Sequence, residues 1–268
     1  MEAHESKPSG LAITHLNARS LCNKFHKFKD IVLQHDYSLI GVSETWFPPD
    51  VPDDTFSLPG YNIIRKDRAT VGGGVALYVK SFLKFEILKF CSDEISDSSI
   101  EYLLIKLKIN SQEIAVGTFY RPPDINFNNL NLLGDIINFL TLKKLDFIFI
   151  GDFNVDLLVD SPGSKFLKSL LFELDCNQLI NDPTRITKDS ESLLDLIIVS
   201  SNVEIIKSWV SDLALADHNN IHCIVDFNNY NEITNHKIIR SFKNLDINEF
   251  SKYAARINWN QIYMVPSL

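Results

Sequence analysis

Short apolar runs that stop at an acidic or amide side chain recur along this chain. Leu11 to Leu16 ends at Asn17, and Leu39 to Val42 leads to Glu44. Phe147-Ile148-Phe149-Ile150 runs into Gly151-Asp152-Phe153-Asn154. Runs of this length, closed by Gly and Asp, predict buried strands emptying into loops. Tyr61 to Arg65 and Val75 to Val79 predict two strands around a Gly72-Gly73-Gly74 turn. Phe85 to Phe90, Tyr102 to Ile109 and Ile114 to Tyr120 predict three more, the last stopped by Arg121-Pro122-Pro123. Leu194 to Val199 and His222 to Phe227 predict the final strands.

Three segments carry the other period. Phe25, Phe28, Ile31, Val32 and His35 fall at helical spacing, which predicts a helix from about Asn23 to His35. Leu133, Ile136, Ile137 and Leu140 share one face of a helix over Leu130 to Leu142, and a third helix is expected around Ser164 to Leu174. Hairpins mixed with a few crossover helices predict an α/β protein with mixed sheets, helices covering the outer faces of two packed sheets. The organisation read from this pattern is a polar tail over 1–10, one domain over 11–227, and a linker or extension over 228–268. That last stretch opens on an Asn-rich segment and continues with Phe242, Leu245, Ile247, Phe250 and Tyr253 at partly amphipathic spacing.

Composition narrows the picture. The chain has 268 residues, 45% of them hydrophobic, enough for a large core. Its formal net charge is -8, so it is no general phosphate-coating protein, and any nucleic-acid contact must be local. Cys22, Cys91, Cys176 and Cys223 form no CxxC, which argues against a zinc site or a disulfide scaffold and for a reducing compartment. The first ten residues lack a signal-peptide core, and no apolar run approaches the roughly 20 residues that span a bilayer. A soluble, intracellular protein with no membrane partner is expected.

Candidate chemistry lies at the strand ends: Asn17, Glu44, Asp152 with Asn154, Asp195 and Asp217. Each alone is weak, since turns use the same residues. Asp195 is the hardest to explain blandly, because it sits inside Leu193-Leu194-Asp195-Leu196-Ile197-Ile198, and an unpaired buried charge is expensive. His218 is its natural partner, since a carboxylate fixes the tautomer of a histidine. Hard oxygen donors without Cys or clustered His favour magnesium or manganese over zinc, with Glu44 and Asp217 as candidate ligands. His222 and the other histidines, His15 included, read as structural. There is no Gly-x-Ser-x-Gly elbow, and the three glycines lack the Lys-Ser/Thr of a P-loop. Arg65-Lys66-Asp67-Arg68 is either a solvated face or a phosphate-contacting edge.

Seven segments taken in order resemble the endonuclease/exonuclease/phosphatase family, and within it the apurinic-type endonuclease domain of LINE-like non-LTR retrotransposons. They are His15-Leu16-Asn17-Ala18-Arg19-Ser20-Leu21, Ser43-Glu44-Thr45-Trp46, Gly60 to Arg68 with Gly72-Gly73-Gly74-Val75-Ala76, Phe119-Tyr120-Arg121-Pro122-Pro123, Gly151-Asp152-Phe153-Asn154, Pro183-Thr184-Arg185 with Leu194-Asp195-Leu196, and Ala216-Asp217-His218. The resemblance implies a four-layer α/β sandwich and cleavage of a DNA phosphodiester with Mg2+ or Mn2+. It implies Asn17, Glu44 and Asp217 near the metal, Tyr120 on the scissile phosphate, and Asp152 orienting or deprotonating the attacking water. It further implies Asn154 holding that water and the phosphate, Asp195 with His218 as a carboxylate–histidine pair, and Arg121 and Arg185 meeting substrate. DNA is the implied partner, the nucleus the implied compartment, and a reverse transcriptase domain would belong to the parent element. Arg19 stands where some relatives carry an acid, and Ala216 where many carry Ser. The same segments also fit a same-fold phosphatase or phospholipase acting on small phosphoesters, or an inactive DNA-binding relic.

Overall fold

The computed structural model describes residues 10–70, 72–90, 100–109, 112–212, 215–227, 251–252 and 255. The chain falls into two units, 1–231 and 232–268. The expected extension over 228–268 lies almost wholly outside the described residues. Among the described residues, no helix is long and apolar enough to cross a membrane.

The first unit is built on two six-stranded sheets. The first holds β1 (Leu11–Asn17), β2 (Leu39–Ser43), β3 (Tyr61–Lys66), β4 (Val75–Lys80), β13 (Ile205–Ser211) and β14 (Asn220–Val225). Its order is β13-β14-β1-β2-β4-β3, and only β1 and β2 run parallel. The second holds β5 (Lys84–Ile87), β6 (Glu101–Ile109), β7 (Gln112–Tyr120), β8 (Asp146–Asp152), β9 (Cys176–Gln178) and β12 (Asp195–Ser200). Its order is β5-β6-β7-β8-β12-β9, with the parallel pair at β7 and β8. A small hairpin, β10 (Arg185–Ile186) and β11 (Glu191–Ser192), stands apart. The helices are α1 (Phe25–Gln34), α2 (Asn131–Leu142) and α3 (Pro162–Glu173).

Strand alternation sorts the apolar residues into layers. Leu11, Ile13, Leu39, Leu77 and Val79 face the second sheet and join one large core with Ile148, Ile150 and Ile197. Their neighbours Leu16, Ile40, Val42, Ala76 and Tyr78 face the opposite way and pack under Phe28 and Val32 of α1. Leu133, Ile136 and Ile137 of α2 and Leu167 of α3 join the large core over the second sheet. The result is the expected sandwich of two mixed sheets and their helices. The sheets approach closely at Gly41, where a Cβ would lie 2.6 Å from Ile150 Cδ1 and 2.9 Å from Thr118 Oγ1, so any larger residue would force those side chains to shift.

Beyond the expected strands lie the short β9, β10 and β11 and the edge strand β13, whose residues are half-buried or exposed and so lack a clean alternation. The strand expected over Phe85 to Phe90 stops at Ile87. The third helix begins earlier than expected, because Ser161 caps it: Ser161 Oγ accepts from Ser164 N at 3.1 Å while Ser164 Oγ accepts from Ser161 N at 2.9 Å.

Candidate active site

The inner faces of the two sheets turn from apolar to polar at one end. On β1, Leu11, Ile13, His15 and Asn17 alternate toward the second sheet, and Asn17 is the last. On β8, Ile148, Ile150 and Asp152 do the same, and register sets Asp152 between Tyr120 of β7 and Asp195 of β12. The sheets therefore deliver their terminal side chains to a common place. The Asn17 amide bridges them, its Nδ2 donating to Asp152 Oδ2 at 2.7 Å and to Glu44 Oε1 at 2.8 Å.

Glu44 follows β2 in a left-handed conformation, φ 51°. Such a backbone needs external support for a non-glycine residue. The glycine turn supplies it. Thr45 N donates to Gly74 O at 3.2 Å and Trp46 N to Gly73 O at 3.0 Å. Gly74 has φ 84°, and a Cβ there would meet Thr45 Oγ1 at 2.5 Å. Glu101 accepts from Gly74 N and pairs with Arg68, tying the turn to β6. No motif in the sequence pointed to Glu101.

Asp152 is fully buried and receives two further donors, Asn154 N at 2.9 Å and Asn154 Nδ2 at 3.3 Å. Asn154 is itself left-handed, φ 46°, and its Nδ2 also donates to Arg121 O at 2.7 Å. Burial and the neighbouring Asp195 push the Asp152 carboxyl well above the usual carboxylate range, outweighing the donors and His218. Asp195 is equally buried. Thr184 Oγ1 holds its backbone N–H at 3.0 Å, and its Oδ2 lies 2.8 Å from His218 Nδ1. Burial works against a charged imidazole at His218, but Asp195, Asp152 and Asp217 outweigh it and hold the ring up to about 9. The imidazolium then keeps Nε2–H as its second donor. Burial, with Glu44 and Asp152 beside it, raises the Tyr120 phenol, so it remains an O–H donor.

The structure thus gathers Asn17, Glu44, Asp152, Asn154, Asp195 and His218, with Tyr120 beside Asp152 in register. Asp217, expected near a cation, is engaged through one oxygen, while its Oδ1 has no hydrogen-bond partner. Its Oδ2 is taken by Arg19 Nη1 at 2.7 Å and by Arg185 Nε and Nη2, each at 3.0 Å. Arg121, expected to meet substrate, is buried instead. Its guanidinium donates to the carbonyls of Phe153, Asn154 and Ile125, so it fixes the loop after β8. Within the Arg65 to Arg68 cluster, Arg65 turns inward, pairing with Asp53 and Asp67 and lying over Phe47 and Phe56, while Lys66 stays exposed. His222 is structural as expected, stacked between Tyr37 and Trp209 and bonded to Ser211 at 2.7 Å. His15 is wholly buried 3.6 Å from Asp195 Oδ1, and neither ring nitrogen has a hydrogen-bond partner. Burial holds that ring down to about 4.

An acid–histidine cluster of the kind that holds a divalent ion is present: Asp152, Asp195 and His218 bring one ligand atom each within 4.8 Å of one another. Asp195 Oδ2 and His218 Nδ1 already engage each other and both Asp152 oxygens accept from asparagine donors, so Glu44, held by Asn17 at Oε1, and the unpartnered Asp195 Oδ1 are the more available hard donors. An oxygen-rich set without thiolate suits Mg2+ or Mn2+.

Comparison with known proteins agrees with this architecture. The structure is similar to the endonuclease domain of TRAS1, a telomere-specific non-LTR retrotransposon, at 17% identity and a TM-score of 0.60, covering 81% of this chain and 99% of that one. It is similar to an AP endonuclease from Archaeoglobus fulgidus at 17% identity and a TM-score of 0.64, covering 81% and 100%. It is also similar to the 3′ phosphatase NExo from Neisseria bound to product DNA hairpin, at 12% identity and a TM-score of 0.64, again covering 81% and 100%. No curated protein sequence matches the chain. Residues 14–218 match the Endonuclease/Exonuclease/phosphatase family, and that span runs from the strand of Asn17 to His218 itself. The chain belongs to the endonuclease/exonuclease/phosphatase family.

Proposed function

We propose that this chain is a divalent-metal-dependent endonuclease that nicks DNA. The observation that carries the reading is the Asn17 amide joining Glu44 and Asp152 across the two sheets, with the Asp195–His218 pair alongside. A phosphodiester held there meets a cation-holding carboxylate, a carboxylate of raised basicity and an imidazolium within one site.

Each side chain has a task set by its surroundings. Asp152, raised toward neutrality, is suited to orient a water and take its proton. The Asn154 amide shares the Asp152 oxygen and steadies the water and the phosphate. His218, kept cationic by Asp195, donates through Nε2 to a non-bridging oxygen, where negative charge grows in the transition state. Tyr120 donates its O–H to the same phosphate. Glu44 and Asn17 would hold the cation, with Mg2+ or Mn2+ neutralising the phosphate and the leaving 3′-oxygen when bound.

The biological use we infer is nicking of genomic DNA to prime reverse transcription, in the nucleus, with the reverse transcriptase supplied by the parent element. The likeness to the TRAS1 domain supports that context. The test is nicking of supercoiled plasmid with and without Mg2+, run beside inositol phosphate and lipid phosphate substrates. Nicking that is lost in Asp152→Ala, Glu44→Ala and His218→Ala supports the reading. Release of phosphate from the small esters with intact plasmid would move the chain to the phosphatase branch. DNA binding without cleavage would make it a relic.

A further inference from the structure

Beside the catalytic groups, two guanidiniums from distant parts of the chain meet on a single carboxylate oxygen. Arg19 reaches Asp217 Oδ2 through Nη1, and Arg185 reaches the same atom through Nε and Nη2. The arginine side chains remain 56% and 39% exposed, while Asp217 is 28% exposed. An exposed ion pair adds little stability, and one carboxylate needs only one guanidinium. The trio carries a surplus positive charge in a protein whose net charge is -8. Each guanidinium also has N–H donors beyond those on Asp217, in the planar fork that matches a phosphate.

Both arginines are anchored to catalytic residues. Arg19 is held left-handed, φ 41°, with its N–H donating to Asn17 Oδ1 at 3.0 Å and its carbonyl accepting from Lys24 Nζ at 3.1 Å. Arg185 forms a β-bridge with His218, and Asn219 N donates to Thr184 O at 2.6 Å. The positive groups therefore keep a fixed place relative to Asn17 and His218.

We propose that Arg19 and Arg185 clamp a backbone phosphate of the nucleic-acid strand next to the one that is cut, with Asp217 as the pivot that spaces the two guanidiniums. The clamp rests on the DNA-nicking reading and deepens it. It supplies the local attraction that an acidic chain needs to hold a polyanion. Phosphate monoesters share the chemistry, so DNA and inorganic phosphate are separate arms of the test.

The experiment measures binding of a fluorescent duplex oligonucleotide in EDTA across a salt series. Arg19→Ala and Arg185→Ala are each expected to reduce the slope of log affinity against log salt, and the double variant by about one in total, because the two share one phosphate. Arg19→Lys keeps the charge and is expected to keep the slope. If an alanine variant fails to fold, the corresponding Arg→Gln variant replaces it. Unchanged slopes in folded Arg19 and Arg185 variants, with wild-type nicking intact, overturn the clamp and leave the nicking reading standing. A wild type that neither binds nor nicks DNA overturns both. Inorganic phosphate that displaces DNA at equimolar concentration, dependent on both arginines, also overturns the strand clamp in favour of a small-phosphate site.

Discussion

Asn17 and Asp152 meet across the sandwich, amide nitrogen to carboxylate oxygen, at 2.7 Å. The same amide holds Glu44, so one side chain fixes the spacing of two acids that would otherwise repel. Asn17→Ala is expected to cut nicking by roughly 100-fold or more, a loss typical of removing one preorganised polar group. Titration with Mg2+, followed by the shift in melting temperature, is expected to show weaker metal binding in the variant. Unchanged metal affinity would separate Glu44 from the cation.

The raised groups make the fold sensitive to alkali. Asp152 has a folded pKa above its unfolded value, so its neutral form favours the folded state and stability declines as pH rises through that interval. His218 stands near 9 against an ordinary value of 6.5, so its contribution is complete below 6.5 and lost as pH rises through 9. Both effects have the same sign. Burial depresses His15 and His222, which act in the opposite sense below pH 6.5. The melting temperature in EDTA is therefore expected to fall between pH 7 and pH 10, and His218→Gln is expected to flatten that fall. Asp152→Asn is expected to steepen the rise below pH 7.

His15 sits behind the catalytic pair, 3.6 Å from Asp195 Oδ1 and out of reach of solvent. His15→Leu fills similar volume and leaves Asp195 facing an apolar wall. It is expected to lower kcat while leaving KM near its wild-type value. His15→Asn is expected to recover part of the loss. Equal activity in wild type and His15→Leu would make this ring mere filling.

Gly74 supports the loop of Glu44 in a conformation that suits glycine alone. Gly74→Ala combines a left-handed alanine with a contact on Thr45, and is expected to cost about 1–3 kcal/mol in chemical unfolding. Nicking at saturating Mg2+ would fall with it, because the turn and the Glu44 loop move together.

Much of this was legible beforehand. The strands ending at Asn17, Glu44 and Asp152 showed in alternation and in the residues that closed them, because strand formation is governed by nearby positions. The burial of Asp195 followed from the apolar run around it, and its pairing with His218 from the need to compensate a buried carboxylate. The edge strand β13 left no such trace, since its half-exposed residues mix apolar and polar positions.

The roles of the arginines were not legible. Arg121 and Arg185 each look like a cation in a loop, yet one is buried among carbonyls and the other is held half-exposed on Asp217. Nothing in the local sequence around Asp217 announced Arg19, 198 positions away, on its Oδ2. Local sequence determined the helices, the buried strands and the burial of Asp195, because backbone geometry and apolar burial respond to neighbours a few positions apart. Which donor faces which acceptor was decided only by packing one sheet on the other, since hydrogen bonds and ion pairs act over a few ångströms between residues the chain keeps far apart.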